Sequence, residues 1–166
     1  MIAFRVTGTA APQGSKRHVG GGRMIESSKA LGPWRERVHA KAVETMVGPP
    51  ITLPVRLSVR FTFMRPRSHY RSGRFQHLVK PNAPPVMMSQ PDLSKLIRAI
   101  EDALTGVVYR DDAQIVQLYA EKVYGDIPAC DIAVENMEEP APQRIVEASG
   151  GDLIQAAAVS RMVHAR

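Results

Sequence analysis

One stretch constrains the fold of this chain more than any other, residues 90–114, which read QPDLSKLIRAIEDALTGVVYRDDAQ. Their apolar residues recur at helical spacing and predict the buried stripe of an amphipathic helix, made of Leu93, Leu96, Ile97, Ile100 and Leu104. Asp92 stands at the N-cap position, where its carboxylate can accept hydrogen bonds from free backbone N–H groups. Gly106 suits the left-handed position that ends a helix. We therefore expect a helix with one buried face, closed by a sharp turn.

An acidic pair follows this helix. Asp111 and Asp112 come directly before residues 113–124, AQIVQLYAEKVY, which alternate as expected for a strand. Asp92 and Asp112 thus lie at the ends of elements that buried residues anchor, while solvent still reaches their carboxylates. Carboxylates arranged in this way on a basic protein indicate Mg²⁺, a hard ion that prefers oxygen ligands. The alternative interpretation is structural, with Asp92 as a helix cap and the acidic pair as a solvated turn.

The run PDLSKLIRAIEDALTGVVYRDDAQIV resembles the signature of the RusA family of Holliday junction resolvases, found in bacteria and their phages. That family shows an Asp-x-Asp pair opening a helix, a basic residue, a helix end similar to DALTG, and an acidic pair entering a strand. Weaker similarity extends into the amino-terminal half, through PQGSKR and the helix that contains Trp34. The resemblance implies a small homodimeric endonuclease of DNA recombination and repair, which uses Mg²⁺, or alternatively Mn²⁺, to make paired nicks in branched DNA.

The resemblance also implies roles for individual residues. Asp92 matches the first acidic position of Asp-x-Asp, and Asp112 matches the later catalytic Asp, so that both would hold the metal ion. Asp111 would assist as a further ligand or by positioning its neighbour. Arg98 lies near the position of a functionally important basic residue, usually Lys, and Lys95, one turn away, can share that role. These two basic side chains would stabilise the charge that develops on phosphate.

Ser94 departs from the family pattern, because the second Asp of Asp-x-Asp is expected there. A Ser hydroxyl is neutral and is a weaker metal ligand than a carboxylate. It can bind an ion through water, or Glu101 or Asp102 can compensate, since they share roughly one polar side of the helix with Ser94. The alternative hypothesis is a catalytically weak or inactive protein that still binds branched DNA.

The charge of the chain favours a polyanionic partner such as DNA. The net charge is +6 and the sequence pI is about 9.8. Basic residues concentrate in two loop-like segments, 9–24 and 65–90, for which a solvated connection is the alternative. Tyr70 and Phe75 can stack on unpaired bases. The candidate DNA-contacting residues are Lys16, Arg17, Arg65, Arg67, Arg71, Arg74 and Lys80. A structural or partner-binding protein whose charge only aids solubility is a further alternative.

The remaining pattern predicts an α+β domain with a mixed β-sheet and two main helices, similar to RusA and expected to be homodimeric. The expected elements are strands at 2–8 and 53–64, a helix at 33–46, and an antiparallel hairpin of strands 115–124 and 129–136. We assign residues 1–138 to the endonuclease domain and residues 139–166 to a linker with a short C-terminal helix or tail.

The sequence also indicates in which cellular compartment the protein is expected. The single cysteine, Cys130, excludes an intramolecular disulfide and lies in an expected strand, which favours a buried, inert thiol. No apolar run is long enough to cross a membrane, and the amino terminus has no signal-peptide pattern. We therefore expect a cytoplasmic protein of a bacterial or phage-infected cell.

Overall fold

The computed structural model describes residues 1–14, 16–18, 24–26 and 29–137. The described residues form two α-helices and six strands, with three short 3₁₀ turns. In chain order the main elements are β1 (Ile2–Thr7), β2 (Lys16–His18), β3 (Met24–Glu26), α1 (Leu31–Thr45), β4 (Val55–Met64), α2 (Leu93–Leu104), β5 (Ile115–Gly125) and β6 (Ala129–Asn136). The predicted linker and tail, residues 139–166, lie outside the described residues.

Four strands form one mixed sheet in the order β1-β6-β4-β5, and β2 pairs with β3 in a separate antiparallel hairpin. Strand β6 runs antiparallel to both β1 and β4, whereas β4 and β5 are parallel. The predicted hairpin between β5 and β6 is therefore wrong, because β4 lies between them. Strand β4 buries one side chain at every second position, and both of its edges are hydrogen-bonded, to β5 and to β6.

The two helices share one hydrophobic core with one face of the sheet. The predicted stripe of α2 is confirmed for Leu96, Ile100 and Leu104, which are buried, whereas Leu93 and Ile97 are half-buried and pack against the same core. Trp34 of α1 and Phe61 of β4 join this core. Gly106 has a φ of 79°, which is the left-handed conformation expected at the end of α2. This α+β architecture with two main helices confirms the predicted fold class.

The opposite face of the sheet carries a cross-strand row of alternating charges. Arg5 of β1 donates two hydrogen bonds to Asp131 of β6, at 2.5 and 2.8 Å. Arg60 of β4 stands opposite Asp131 and pairs with Glu121 of β5 at 2.5 Å. These contacts hold the pKa of the Asp131 carboxyl below its ordinary value, the Arg5 hydrogen bonds being the largest cause. Among the described helices, none has both the length and the apolar character that crossing a membrane requires.

Candidate functional site

Asp92 occupies the N-cap position of α2, as predicted, but its side chain does not cap the helix. Its carboxylate makes no capping hydrogen bond within the described residues and pairs instead with the Lys95 ammonium at 3.0 Å. The helix begins with a backbone bond from the Leu96 N–H to the Asp92 carbonyl. The predicted capping bond is wrong because a cation one turn along the helix attracts the carboxylate outward. The half-exposed carboxylate therefore remains open to a ligand from solvent.

Lys122 of β5 holds the chain that leads into Asp92. Its ammonium donates hydrogen bonds to the carbonyls of Ser89 and Pro91, at 2.7 and 2.8 Å. The sequence alone leaves this lysine as either an exposed strand residue or a contact to metal or phosphate. In the structure it binds backbone carbonyls, and Pro91 is the residue directly before Asp92.

The acidic pair Asp111-Asp112 divides into a structural residue and an exposed one. Asp111 caps the 3₁₀ turn Asp112–Gln114, since its carboxylate accepts from the Ala113 N–H at 2.8 Å. The Gln114 side chain accepts from the Asp111 N–H at 3.0 Å and donates to the Ile51 carbonyl at 3.1 Å. This capping box fixes the backbone of the pair and leaves the Asp112 side chain exposed.

Asp112 lies at a groove between α1 and the C-terminal half of α2. The residues that line this groove are Arg35, Glu36, His39, Asp102, Ala103, Thr105 and Asp112. Arg35 of α1 forms a salt bridge with Asp102 of α2 beside it. Burial raises the pKa of the carboxyl of the half-buried Glu101, and the charge of Asp112 raises it further.

The two principal carboxylates lie at opposite ends of α2. Asp92 begins the helix, whereas Asp112 lines a groove with Asp102 and Thr105 at its other end. The twelve residues of the helix span about 18 Å at roughly 1.5 Å per residue. Within the part of the chain that the structure describes, no three His, Cys, Asp or Glu side chains come close enough to hold one metal ion.

The structure shows how far the candidate substitute for the carboxylate missing at Ser94 lies from Asp92. Ser94 and Arg98 are exposed on α2, and the charge of Arg98 partly offsets the raised pKa of the Glu101 carboxyl. Glu101, a candidate substitute for the missing Asp, lies more than two turns from the start of the helix, and the charge of Asp112 contributes to the raised pKa of its carboxyl. The Glu101 carboxylate would therefore add a metal ligand at the C-terminal end of α2. It would not replace the missing carboxylate next to Asp92.

Two of the candidate DNA-contacting residues in the segment 65–90 donate hydrogen bonds to backbone carbonyls of the same segment. Arg65 donates to the Pro84 carbonyl at 2.9 Å, and its guanidinium lies 4.2 Å from the centre of the Tyr124 ring. The Lys80 ammonium donates to the Ser68 carbonyl at 2.8 Å. These contacts order the segment, which therefore has more structure than the irregular loop expected from its sequence.

The other candidates in this segment face solvent. Arg67, Arg71 and Arg74 are exposed, and Arg74 packs on the ring of Phe75, 4.7 Å from its centre. Phe75 is itself 42% exposed and closes a 3₁₀ turn. The segment thus presents cations and one aromatic ring at its surface. The side chains of Lys16 and Arg17 lie outside the described part of the chain.

Comparison with known proteins adds an independent finding. A family model described as Endodeoxyribonuclease RusA matches residues 5–135, which include both Asp92 and Asp112. Uncharacterized protein YqaN of Bacillus subtilis (strain 168) is 26% identical over 92 residues, which are 52% of this chain and 61% of that protein. The chain therefore spans about three fifths of the length of this relative.

Proposed function

Because the chain belongs to the RusA family of endodeoxyribonucleases, we propose that it resolves Holliday junctions and other branched DNA by hydrolysing phosphodiester bonds with the aid of Mg²⁺. The observation that carries this proposal is the family match itself, which spans both ends of α2 and the two exposed carboxylates, Asp92 and Asp112. Such an enzyme would act in the cytoplasm of a bacterial or phage-infected cell.

The donor set suits a hard divalent ion. Asp92 and Asp112 supply exposed carboxylate oxygens, which are the ligands that Mg²⁺ prefers, and Mn²⁺ accepts the same ligands. A bound ion would supply an activated water and neutralise charge on the phosphodiester. Asp111 would act by position, since its capping box holds the backbone from which Asp112 projects. Arg98 and Lys95, both exposed on α2, would bind phosphate oxygens and stabilise the charge that develops on them.

A homodimer could bring the two kinds of carboxylate together in one metal site. One chain holds Asp92 and Asp112 at opposite ends of α2, too far apart to share an ion. A second copy would complete each site if Asp112 of one chain met Asp92 of the other. Two such sites, related by a two-fold axis, suit a substrate that needs two symmetric cuts.

Support for a second copy comes from β5, which lies at the edge of the described sheet. It exposes apolar side chains on both faces, with Val116, Leu118 and Tyr119 between 43% and 57% exposed. A long apolar edge strand is a template for pairing with another chain. Antiparallel pairing of β5 with its copy would place the first residues of each strand beside the last residues of the other. Because Lys122, near the end of β5, contacts Pro91, Asp112 of one chain would then approach the partner's Asp92.

The second candidate function is a branched-DNA-binding protein with weak or no catalysis. Ser94 favours it, because it offers a neutral hydroxyl next to Asp92, and Glu101 lies nearer the other end of α2. The exposed cations Arg67, Arg71 and Arg74 would bind DNA equally well in such a protein.

The test is nicking of a synthetic four-way junction against linear duplex in Mg²⁺, for the wild type and for Asp112→Asn. Junction-selective nicking that Asp112→Asn abolishes supports the nuclease. Tight junction binding without nicking, even after Ser94→Asp, leaves the non-catalytic branch-binding protein. Absence of salt-dependent DNA binding would contradict both candidates and favour a structural or partner-binding role.

A further inference from the structure

Two residues on one face of β5 hold the segment that carries the exposed cations. Lys122 and Tyr124 are alternate residues of the strand and therefore point to the same side of the sheet. The Arg65 guanidinium lies 4.2 Å from the centre of the Tyr124 ring, and the His69 ring stands nearly perpendicular to that ring, with 5.7 Å between the two ring centres. Lys122 binds the carbonyls of Ser89 and Pro91. The beginning and the end of the segment 65–91 are thus both fixed to the last residues of the strand.

The position of Lys122 in the strand is unusual. It stands opposite Phe61 in the β4–β5 register, on the face that packs against the helices, where an apolar residue would be expected. Its side chain is half-buried, and both of its hydrogen bonds go to backbone carbonyls. An ammonium has three donors and forms strong, charge-assisted bonds. These bonds explain a lysine at a core-facing position as an anchor.

The anchor fixes the backbone at the start of α2, but it binds carbonyls and so does not take the place of a side-chain cap, which accepts from free N–H groups. A helix start normally gains from a capping side chain, and Asp92 stands in the place for one but does not provide it. Lys122 fixes the carbonyl of Pro91, and the Lys95 carbonyl in the first turn of α2 accepts from the Gln13 N–H at 2.9 Å. Other groups therefore hold the start of the helix, and the Asp92 carboxylate stays available.

We propose that Lys122 is a positioning residue for the nicking reaction: it fixes the backbone of Ser89 and Pro91 and thereby the place of the Asp92 carboxylate. This inference rests on the proposed function. Lys122 acts through the backbone and touches neither substrate nor metal. Its loss should therefore change the rate of the chemical step and the metal requirement, while affinity for the junction stays nearly constant.

The experiment compares Lys122→Met, Lys122→Arg and, as a matched control, Lys41→Met. Lys41 pairs with Glu44 on α1, so its replacement removes one positive charge without touching α2. We expect Lys122→Met to slow single-turnover nicking by about 10–100-fold and to raise the half-maximal Mg²⁺ concentration, as is usual when a group that orients a metal ligand is removed. Junction affinity measured without metal should match that of Lys41→Met, and Lys122→Arg should recover most of the rate.

Two results would overturn the proposal. One is a nicking rate in Lys122→Met equal to that of Lys41→Met. The other is a rate loss matched by an equal loss of junction affinity, which would make Lys122 a phosphate-binding residue. Should Lys122→Met fail to fold by circular dichroism, Lys122→Gln replaces it, since its amide still donates but carries no charge.

A measurement independent of activity separates this inference from the proposed function. Hydrogen exchange of the backbone amides in residues 88–96 should be faster in Lys122→Met than in the wild type, and unchanged in Lys41→Met. If the wild type does not nick junctions, the proposed function fails, and the exchange data still decide whether Lys122 anchors this turn. Unchanged exchange in Lys122→Met would reject the anchor whatever the activity.

Discussion

Asp92 and Asp112 lie at opposite ends of α2, so the twelve residues of one helix separate the two carboxylates that the proposed reaction requires. Both side chains are exposed, and the local contacts of each differ. A lysine one turn along the helix holds the first, and a capping box supports the backbone of the second. This arrangement makes the origin of each metal ligand, from one chain or from two, a question that experiment can answer.

Mixing two inactive variants tests the origin of the ligands. Asp92→Asn and Asp112→Asn should each abolish nicking alone. If each site takes one carboxylate from each chain, a mixed dimer has one intact site, so that random exchange should recover about one quarter of the wild-type sites. Nicking of a four-way junction after mixing and dilution is the readout, and single nicks should predominate over paired cuts.

The control for this experiment mixes Asp112→Asn with the double variant Asp92→Asn, Asp112→Asn. No arrangement of these two chains contains an intact site, so recovery there would point to contamination by active protein. An absence of recovery in the first mixture, with subunit exchange verified by a size-tagged chain, would place both ligands in the same chain and remove the argument for a shared site.

Ser94→Asp should lower the Mg²⁺ concentration that nicking requires. The change puts a second carboxylate at the start of α2, two residues after Asp92, where the helix N-terminus favours negative charge. We expect nicking at a lower Mg²⁺ concentration than in the wild type, measured as the half-maximal concentration. Ser94→Asn is the matched control, because it adds a side chain of the same shape without the charge. Equal behaviour of the two variants would show that this position does not reach the ion.

The exposed cations of the segment 65–90 should carry part of the affinity for DNA. Replacing Arg71 and Arg74 together by Ala should weaken junction binding and lower the slope of log affinity against log salt by about 1 for each phosphate that the variant no longer binds. Fluorescence anisotropy over a salt series measures this slope. Lys41→Ala, on α1, should leave the slope unchanged. A loss of affinity with no change in slope would indicate that the two arginines act through the Phe75 turn and not through phosphate.

Local patterns predicted the elements well. The apolar spacing of α2 and the strict alternation of β4 each depend on neighbours a few residues apart, and both were confirmed by burial. The β5–β6 hairpin was wrong because the turn at 125–128 is compatible with a hairpin but does not decide which strands become neighbours. That choice depends on long-range pairing, in which β4 hydrogen-bonds to β6 on one edge and to β5 on the other.

The same distinction applies to the site. The candidate residues were recognisable from the resemblance, but the distance between Asp92 and Asp112 depends on the direction in which α2 runs past the sheet. Lys122 left one signal in the sequence. Leu118, Ala120 and Lys122 are alternate residues of β5 and share one face, on which Lys122 follows two apolar residues. A charged group on an otherwise apolar face requires a partner. Its actual partners, two backbone carbonyls about thirty positions away in the chain, become visible only in the folded structure.

The Arg5–Asp131 pair should make stability depend on pH in the acid range. The folded-state pKa of the Asp131 carboxyl lies below its ordinary value of 3.8, mainly because Arg5 donates two hydrogen bonds to it. A carboxyl with a lowered pKa stabilises the folded state above that ordinary value, and the contribution is lost as pH falls through the folded-state pKa. Arg5→Met should therefore lower the melting temperature slightly at pH 7 and progressively less as pH falls below about 4. The effect should be small and should shrink in high salt, because both side chains are partly solvated. Thermal unfolding of wild type, Arg5→Met and the Lys41→Met control between pH 3 and pH 7 measures it, and a difference that grows towards low pH would contradict the assignment.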